Sequence, residues 1–435
     1  MIIESNIDFN RVEQSLQLGD SFWIPVYSDK YRHYVNNRIS FIYIYSIADD
    51  QDYIVPFHHM DCLNLKPEQL QHLTSPHSIF VLGKKRFQYT YGNTCYDADL
   101  FAWWHTNKML PLDETNTNAH DMWSKWWYNE TNTNDWLPIT RHLERCVNMR
   151  MEFMKLYSNS DISSEFKVYD TETCGAFGKI EQCGVWQSVG QLAHTEYNLY
   201  TSTGRPSNKF GGINYAALNK EDGSRKLYTS RFSKGMLVEY DYDAYHVRLI
   251  ASLIDYKLPS GSVHTYFGKQ YFDTTDLTEE QYEQSKQITF RLLYGGIDDD
   301  FAQIPFFNKV RQFINKLWKE FKLTGYIVTP IYKRKMQRDN LHDMNANKLF
   351  NYLLQATETE HNIKQVLNVN ALLDKYKSRL VLYTYDSFLF DFDMSDGKQV
   401  LHEIQTALSD NNQYPVKLKA GVNYNDMRDM TNRLS

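Results

Sequence analysis

Two aspartates far apart in the chain are placed where metal chemistry would need them. Asp241 follows the apolar run MLVEY and precedes a segment with helical apolar spacing. Asp386 interrupts the apolar sequence RLVLYTYDSFLFDFD, which predicts a hairpin with this residue at its turn. If the two strands pair in one sheet, their carboxylates meet and form the arrangement that holds two divalent ions for phosphoryl transfer. Taken singly, each aspartate is more typical of an ordinary turn.

The stretch TEEQYEQSKQITFRLLYGG predicts a helix with a capping box at its start and a double glycine at its end. Four side chains recur at steps of four and share one helical face: Tyr282, Lys286, Phe290 and Tyr294. Such a face is typical of core packing with a snorkelling lysine. It fits equally well a site in which the ammonium holds a triphosphate while the rings cover a base.

The charge of the chain is unevenly distributed. The formal net charge is −6, which excludes a uniformly basic coat for nucleic acid. Between residues 205 and 235, however, seven Lys and Arg residues stand against two acids, and between 305 and 338 nine stand against one. Polyanion binding requires segregation of this kind, because Lys and Arg must neutralise phosphates locally. A charge run without a nearby motif is more often just a solvated face.

The elements that must position these residues belong to an ordinary globular chain of 435 residues with 42% hydrophobic content. The runs FWIPVY, ISFIYIYSI and DYIVPF predict an antiparallel meander, FQYTY a further strand, and residues 138–158 a helix. Residues 159–190 are rich in glycine and predict loops at a domain boundary. Beyond residue 193 the pattern favours an α+β fold over a wound parallel sheet.

The sequence also predicts the environment of the chain. Five cysteines without CxxC spacing indicate reduced thiols. The start, MIIESNIDFN, lacks the features of a signal peptide, and the longest apolar runs are about half of the ~20 residues that a membrane helix needs. We therefore expect a cytoplasmic protein without a membrane partner.

Taken together, these segments resemble the palm and fingers of family A DNA polymerases. Seven motifs occur in the family's order over residues 190–430, including HTxYxxxxTxTGR, the metal-binding motif DYSQIELR, KxxxFxxxYG, NxxxQ and VHDE. The matching residues are His194 to Arg205, Asn214, Asp241, Tyr242 and Arg248, His264, Lys286 to Gly295, Asn351 and Gln355, and Asp386. Each motif alone is a weak signal, whereas seven in order are a strong one.

The resemblance implies a role for each matched residue. Asp241, Asp386 and the carbonyl of Tyr242 would ligate two Mg²⁺ ions, or Mn²⁺ in their place. Lys286 and His264 would grip the incoming triphosphate. The residues implied to line the nucleotide pocket are Phe290, Tyr294, His246 and Tyr282, and those implied to contact DNA are Arg205, Asn214, Arg248, Asn351, Gln355 and Tyr385.

Three departures from the family affect this site. His246 stands where the family has a glutamate that packs against the sugar and blocks a 2′-hydroxyl, so sugar selection is in question. Tyr282 replaces an arginine, which removes a phosphate contact and predicts weaker binding of the triphosphate. Tyr385 and Ser387 replace the His and Glu that flank the last aspartate.

The resemblance also divides the chain. Residues 1–158 resemble an RNase H-like 3′–5′ exonuclease-type domain in outline, but only Asp29 and Asp97 remain of its metal-binding carboxylates, so we expect a degenerate remnant. Residues 159–193 would form a reduced thumb or linker, and residues 194–435 the palm and fingers of a right-hand polymerase.

The predicted function is template-directed DNA synthesis from dNTPs on primer–template DNA, without proofreading, by a compact phage-type enzyme in the host cytoplasm. A short thumb further predicts a processivity factor or a separate exonuclease as partner. A single-subunit RNA polymerase or relaxed-sugar polymerase remains an alternative, as does a non-catalytic DNA-binding scaffold.

Overall fold

A computed structural model describes residues 1–29, 31–92, 94–111 and 133–431, and these form two compact units. The first unit comprises Met1–Gln182 with Phe210–Ile213, and the second comprises Cys183–Lys209 with the chain from Asn214 onward. None of the helices in the described ranges combines the length and apolar character that crossing a bilayer requires.

The first unit is built on a five-stranded sheet whose strand order is β3-β2-β1-β4-β5. Its strands are β1 (Ser21–Tyr27), β2 (Ile39–Ser46), β3 (Gln51–Pro56), β4 (Ile79–Val81) and β5 (Tyr96–Asp97). The predicted meander is confirmed, because β1, β2 and β3 pair antiparallel in sequence order. The last two strands run parallel to β1. Every residue of β2 is buried, as expected for a central strand covered on both faces.

In the described part of this unit, five helices accompany the sheet: α1 (Asn6–Ser15), α2 (Lys84–Tyr91), α3 (Ala98–Thr106), α4 (Ile139–Tyr157) and α5 (Ser164–Cys183). The helix predicted over residues 138–158 is confirmed as α4. The strand predicted at FQYTY is wrong, because this segment lies in α2. Phe87 and Tyr91, four residues apart, pack their rings 5.3 Å from each other on one helical face. Alternation over five residues could not distinguish that spacing from a strand.

The loop-rich boundary predicted over residues 159–190 is also wrong, because most of it forms α5. This helix buries Phe166, Tyr169 and Phe177 within the first unit. Gly178 lies inside this helix rather than in a turn, and a Cβ at this position would make ordinary van der Waals contact with the Lys85 side chain at 3.8 Å. The first unit therefore extends to Gln182 rather than ending at Ser158.

The second unit contains an antiparallel sheet with strand order β13-β14-β10-β15-β16. Its strands are β10 (Gly235–Tyr242), β13 (Arg379–Thr384), β14 (Ser387–Asp393), β15 (Val416–Gly421) and β16 (Met427–Asp429). Three two-stranded ribbons lie outside this sheet: β6 (Val185–Gln187) with β7 (Gln191–Ala193), β8 (Tyr197–Asn198) with β9 (Ser207–Asn208), and β11 (Tyr326–Val328) with β12 (Lys335–Gln337). The α+β class predicted for this half is confirmed.

The helices of the second unit are α6 (Tyr245–Leu253), α7 (Val263–Tyr271), α8 (Glu279–Gly295), α9 (Pro305–Thr324), α10 (Ala346–Leu373) and α11 (Lys398–Ser409). The helix α10 has 28 residues and buries an unusual run of polar side chains from Thr357 to Asn362. Polar groups are rarely buried without a partner. We therefore expect the buried polar side chains from Thr357 to Asn362 to have defined hydrogen-bond or ion-pair partners.

Candidate active site

The sheet of the second unit brings Asp241 and Asp386 together. The strands β10 and β14 pair antiparallel, with Asp241 opposite Ser387. At the end of this ladder the Tyr242 amide donates a hydrogen bond to the Asp386 carbonyl at 3.0 Å. The two aspartates thus occupy neighbouring strand ends, as the sequence predicts.

Both carboxylates at this strand end have raised pKa values, and burial is the largest cause. Burial and the nearby Asp386 raise the pKa of Asp241 to about 6, with Lys419 and Lys417 acting in the opposite direction. Burial and the carboxylate of Glu358 likewise raise the pKa of Asp386. Among the described residues, no Lys, Arg or His nitrogen lies within 4.0 Å of either carboxylate. Oxygen donors that repel each other in this way are the ligand type that Mg²⁺ takes.

The backbone beside both aspartates adopts the left-handed conformation that non-glycine residues rarely use. Ala244 has φ 52° and Tyr385 has φ 64°. Such residues persist only when their surroundings fix them, and they concentrate at functional sites. At the hairpin tip, the Asn362 side chain provides this restraint by donating a hydrogen bond to the Tyr385 carbonyl at 2.8 Å.

The predicted nucleotide face is displayed by α8. Its capping box between Thr278 and Gln281 is confirmed, and the helix ends at Gly295. The rings of Phe290 and Tyr294 stack with an interplanar angle of 8° and a centroid separation of 6.2 Å. One turn earlier, the Lys286 ammonium lies 4.4 Å from the centre of the Tyr282 ring. The ammonium also forms an exposed ion pair of 2.6 Å with Glu283.

His264 reaches the same face from α7. Its ring centroid lies 6.0 Å from that of Phe290 and 6.3 Å from that of Tyr282. Burial lowers the pKa of His264, partly opposed by Asp243. Its Nδ1 atom is buried without a hydrogen-bond partner in the described part of the chain. A neutral imidazole with an unsatisfied nitrogen can accept or donate a hydrogen bond to a ligand here.

Arg205 stands beside the hairpin tip that carries Asp386. It follows a tight turn closed by a hydrogen bond from the Gly204 amide to the Thr201 carbonyl. The guanidinium lies 3.9 Å from the centre of the Tyr385 ring. It also forms an ion pair with the buried Glu358, with Nε 2.9 Å and Nη2 3.3 Å from the two carboxylate oxygens.

His246 lies between this carboxylate and the nucleotide face. Its Nε2 atom is 3.3 Å from the Glu358 carboxylate, and its Nδ1 atom forms a short hydrogen bond with the Tyr294 hydroxyl. Burial and the charge of Glu358 raise the pKa of Tyr294 to about 12, so its hydroxyl stays protonated at neutral pH.

The predicted DNA-contacting residues do not all share one location. On α10, the Asn351 amide donates to the Tyr294 carbonyl at 3.4 Å, and Gln355 accepts a hydrogen bond of 3.2 Å from Thr203. Both therefore adjoin the residues described above.

Asn214 and Arg248 have other immediate contacts. The Asn214 side chain caps a short 3₁₀ helix by accepting from the Ala216 amide at 3.1 Å. Arg248 donates to the Asp243 carbonyl at 2.9 Å and lines an open cavity of about 990 Å³ together with Lys417. The DNA contacts expected of Asn214 and Arg248 therefore stay predictions.

Three residues near the site are missing from the sequence prediction. Glu358 and Asn362 lie on α10, and their signal was the polar run TETEHN inside an otherwise apolar helix. Lys417 lies opposite Asp241 in the β10–β15 register and forms an ion pair of 2.6 Å with Asp243. Nothing in the spacing of β15 distinguishes this lysine from a surface residue.

Two curated proteins are similar to part of the chain in sequence. No family model matches the chain. Over 266 residues it is 20% identical to DNA polymerase I of Bacillus caldotenax and equally to DNA polymerase I of Geobacillus stearothermophilus. Each match involves 53% of this chain and 30% of the relative, so the chain spans about a third of the length of these curated relatives.

A solved structure matches over nearly the whole chain. It is the POL domain of Pol1 from M. smegmatis in complex with a DNA primer-template and dNTP. The TM-score is 0.72 at 14% sequence identity, over 98% of this chain and 99% of that one. The fold is therefore that of a DNA polymerase POL domain. In sequence, the chain is similar to part of two proteins named DNA polymerase I.

Proposed function

We propose that the chain catalyses template-directed DNA synthesis by transferring nucleotides from dNTPs to a primer 3′-hydroxyl. The register that joins Asp241 to the Asp386 turn supports this function most strongly, because it builds a two-carboxylate site at the strand ends. The relatives named DNA polymerase I, and the similar POL domain that binds a primer-template and dNTP, support the same reaction.

Family A polymerases use divalent metal ions, and the donor set here fits such ions. Asp241, Asp386 and the Tyr242 carbonyl would hold two Mg²⁺ ions, with Mn²⁺ as the alternative. The raised pKa values of both aspartates support this, since burial and a neighbouring acid, Asp386 for Asp241 and Glu358 for Asp386, disfavour the charged carboxylates, and an added cation would offset this cost. When bound, the ions would activate the primer hydroxyl and stabilise the charge of the leaving pyrophosphate.

The remaining residues would bind and orient the reactants. Lys286 and His264 would hold the triphosphate, because their fixed polar groups stabilise charge that spreads over the transferring oxygens. Phe290 and Tyr294 offer a stacked aromatic surface for the nascent base pair. Arg205 lies beside the Asp386 turn, where it would contact the primer–template duplex without reading its sequence.

We further propose that residues 1–158 are a degenerate exonuclease-type domain and that any proofreading comes from a separate enzyme. The carboxylate of Asp97 already accepts hydrogen bonds from the amides of Leu100 and Lys84. That of Asp29 accepts from the Tyr31 and Arg32 amides in a local turn. A short thumb would likewise leave processive synthesis to a partner protein.

A relaxed-sugar or RNA polymerase is the second candidate. His246 favours it, because an imidazole stands where the related family has the glutamate that blocks a 2′-hydroxyl. Its ring donates or accepts hydrogen bonds according to its tautomer, so exclusion of a ribose is not guaranteed by size alone.

Extension of a primed template with Mg²⁺, using dNTPs and rNTPs in separate reactions, tests the proposal. We expect extension with dNTPs and its loss in Asp386→Asn. Efficient extension with rNTPs alone would favour the second candidate. Duplex binding without any extension would support the scaffold alternative and contradict the proposed reaction.

A further inference from the structure

The helix α10 supplies a third carboxylate to the site, Glu358, whose side chain is completely buried. It is close enough to Asp386 to be the second-largest cause of that residue's raised pKa. Its oxygens are not directed at a metal position, however, because they face Arg205 and His246. Burying a charge is costly unless it is paired, so both contacts are needed to keep this carboxylate in place.

The contact with His246 determines how the imidazole is oriented. The His246 Nε2 atom lies 3.3 Å from a Glu358 oxygen without the alignment of a hydrogen bond, so this contact is electrostatic and favours a proton on Nε2. On the other side of the ring, Nδ1 forms a short hydrogen bond with the Tyr294 hydroxyl. The side chains thus make a series of contacts from the buried part of α10 to the nucleotide face of α8. The series runs from the Glu358 carboxylate through the His246 imidazole to the Tyr294 phenol. A partner of this kind fixes both the tautomer and the ring plane of a histidine.

Through its contact with Arg205, the Glu358 carboxylate is also linked to the hairpin tip that carries Asp386. The guanidinium that meets Glu358 also covers the ring of Tyr385, the residue next to Asp386. One hydrogen bond, from Nη2 to a carboxylate oxygen at 3.3 Å, and an ion-pair contact of 2.9 Å between Nε and the other oxygen hold the two groups together. Glu358 therefore contacts both His246, which adjoins the nucleotide face, and Arg205, which adjoins the hairpin tip that carries Asp386.

We propose that Glu358 is a positioning residue that determines which sugar the nucleotide pocket accepts, by holding His246 against Tyr294 and Arg205 over Tyr385. This role rests on the proposed polymerase function. The related family places its sugar-blocking carboxylate at the position of His246. In this chain the carboxylate comes instead from Glu358 on α10. It acts on the sugar indirectly, by positioning His246.

Glu358→Gln and His246→Glu, made singly and together, test this role. The measured quantity is the ratio of kcat/KM for a dNTP to kcat/KM for the matching rNTP. We expect Glu358→Gln to lower this ratio about tenfold or more, because the neutral amide no longer holds the imidazole. His246→Glu alone should lose dNTP turnover as well, since it sets two carboxylates side by side in a buried place.

The double variant should recover the ratio to within about threefold of the unaltered chain, because it moves the single carboxylate to position 246. Glu360→Gln is the matched control. Glu360 is buried on the same helix but binds the amides of Ile331 and Tyr332, away from the pocket. We expect this variant to leave the ratio unchanged, even if it melts at a lower temperature.

Two outcomes would overturn the role of Glu358. One is a Glu358→Gln enzyme in which kcat/KM falls equally for both sugars, because the residue would then be merely structural. The other is a double variant no better than His246→Glu alone. An unaltered chain that extends with neither nucleotide would instead reject the polymerase function itself, so the two failures are distinguishable.

Discussion

Each unit of the molecule buries a group of carboxylates, but the two groups are neutralised in opposite ways. In the first unit, the Lys84 ammonium lies 2.5 Å from Asp170, and Lys85 pairs with Glu181, all four side chains being buried. In the second unit, Asp241 and Asp386 lie at neighbouring strand ends without a direct ion pair among the described residues. The first group carries its own cations, whereas the second would take them from solution if it binds metal ions as we propose.

The two groups therefore differ in what they can do. Burial alone would lower the pKa of Lys84, but the adjacent Asp170 raises it overall, so the ammonium is a permanent partner. A permanent cation competes with metal binding and stabilises the fold. The paired aspartates of the second unit pay an electrostatic penalty in the folded state, which is the usual condition of groups that act on a ligand.

The largest effect should come from removing one carboxylate of the second unit. We expect Asp386→Asn, and separately Asp241→Asn, to lower kcat for primer extension by about 1,000-fold or more, because each would remove a ligand of the metal ions. Rapid-quench extension of a labelled primer measures this. Asp393→Asn is the control at the other end of β14, opposite Gly235. Equal loss in that control would indicate a general defect of the sheet.

The next effect concerns the stability of the first unit. Lys84→Met should lower the free energy of unfolding by about 3–5 kcal/mol, because it leaves buried acids without their cation. Urea denaturation followed by circular dichroism measures the change. Adding Asp170→Leu should restore part of it. Arg11→Met, which breaks an exposed ion pair with Asp8, should cost less than about 1 kcal/mol.

In the second unit, Asp241→Asn should raise the free energy of unfolding rather than lower it. The pKa of Asp241 is raised from 3.8 to about 6, so the folded chain binds this proton more tightly than the unfolded chain does. Its contribution to stability is therefore complete below pH 4 and lost as the pH rises through 6. At pH 8 in EDTA, the variant should be more stable by about 1–2 kcal/mol, after discounting for partial exposure.

Thermal denaturation at pH 4 and pH 8 tests whether Asp241→Asn stabilises the chain. The stabilising effect of Asp241→Asn should be present at pH 8 and nearly absent at pH 4. A variant that is less stable at both pH values would mean that Asp241 has a structural partner and would remove the contrast between the two units.

The smallest effect concerns the triphosphate. Tyr282 occupies the position of a family arginine on the same face as Lys286, so Tyr282→Arg should lower the KM for dNTPs by about three- to tenfold. Steady-state extension measures this, with Gln284→Arg on the same helix as control. A dNTP KM in the micromolar range or below for the unaltered chain would contradict the predicted weakness of triphosphate binding.

The sequence predicts those parts of the molecule that depend on local spacing. The meander, the capping box of α8 and the hairpin at Asp386 each follow from short patterns. It fails where packing overrides local preference, as in α5, which is helical despite its glycines and buries Phe166, Tyr169 and Phe177. It also misses Glu358, because a buried acid is recognised only by its partners, and Arg205 lies 153 positions away in the chain.

One reaction tests the contrast between the two units most directly: a 5′-labelled primer with a mismatched 3′ end, incubated with template, dNTPs and increasing Mg²⁺. We predict longer products that require the metal and disappear in Asp241→Asn, with no shortened products at any metal concentration. Shortened products that persist in Asp241→Asn and disappear in Asp97→Asn would contradict this account, because metal-dependent chemistry would then reside in the first unit.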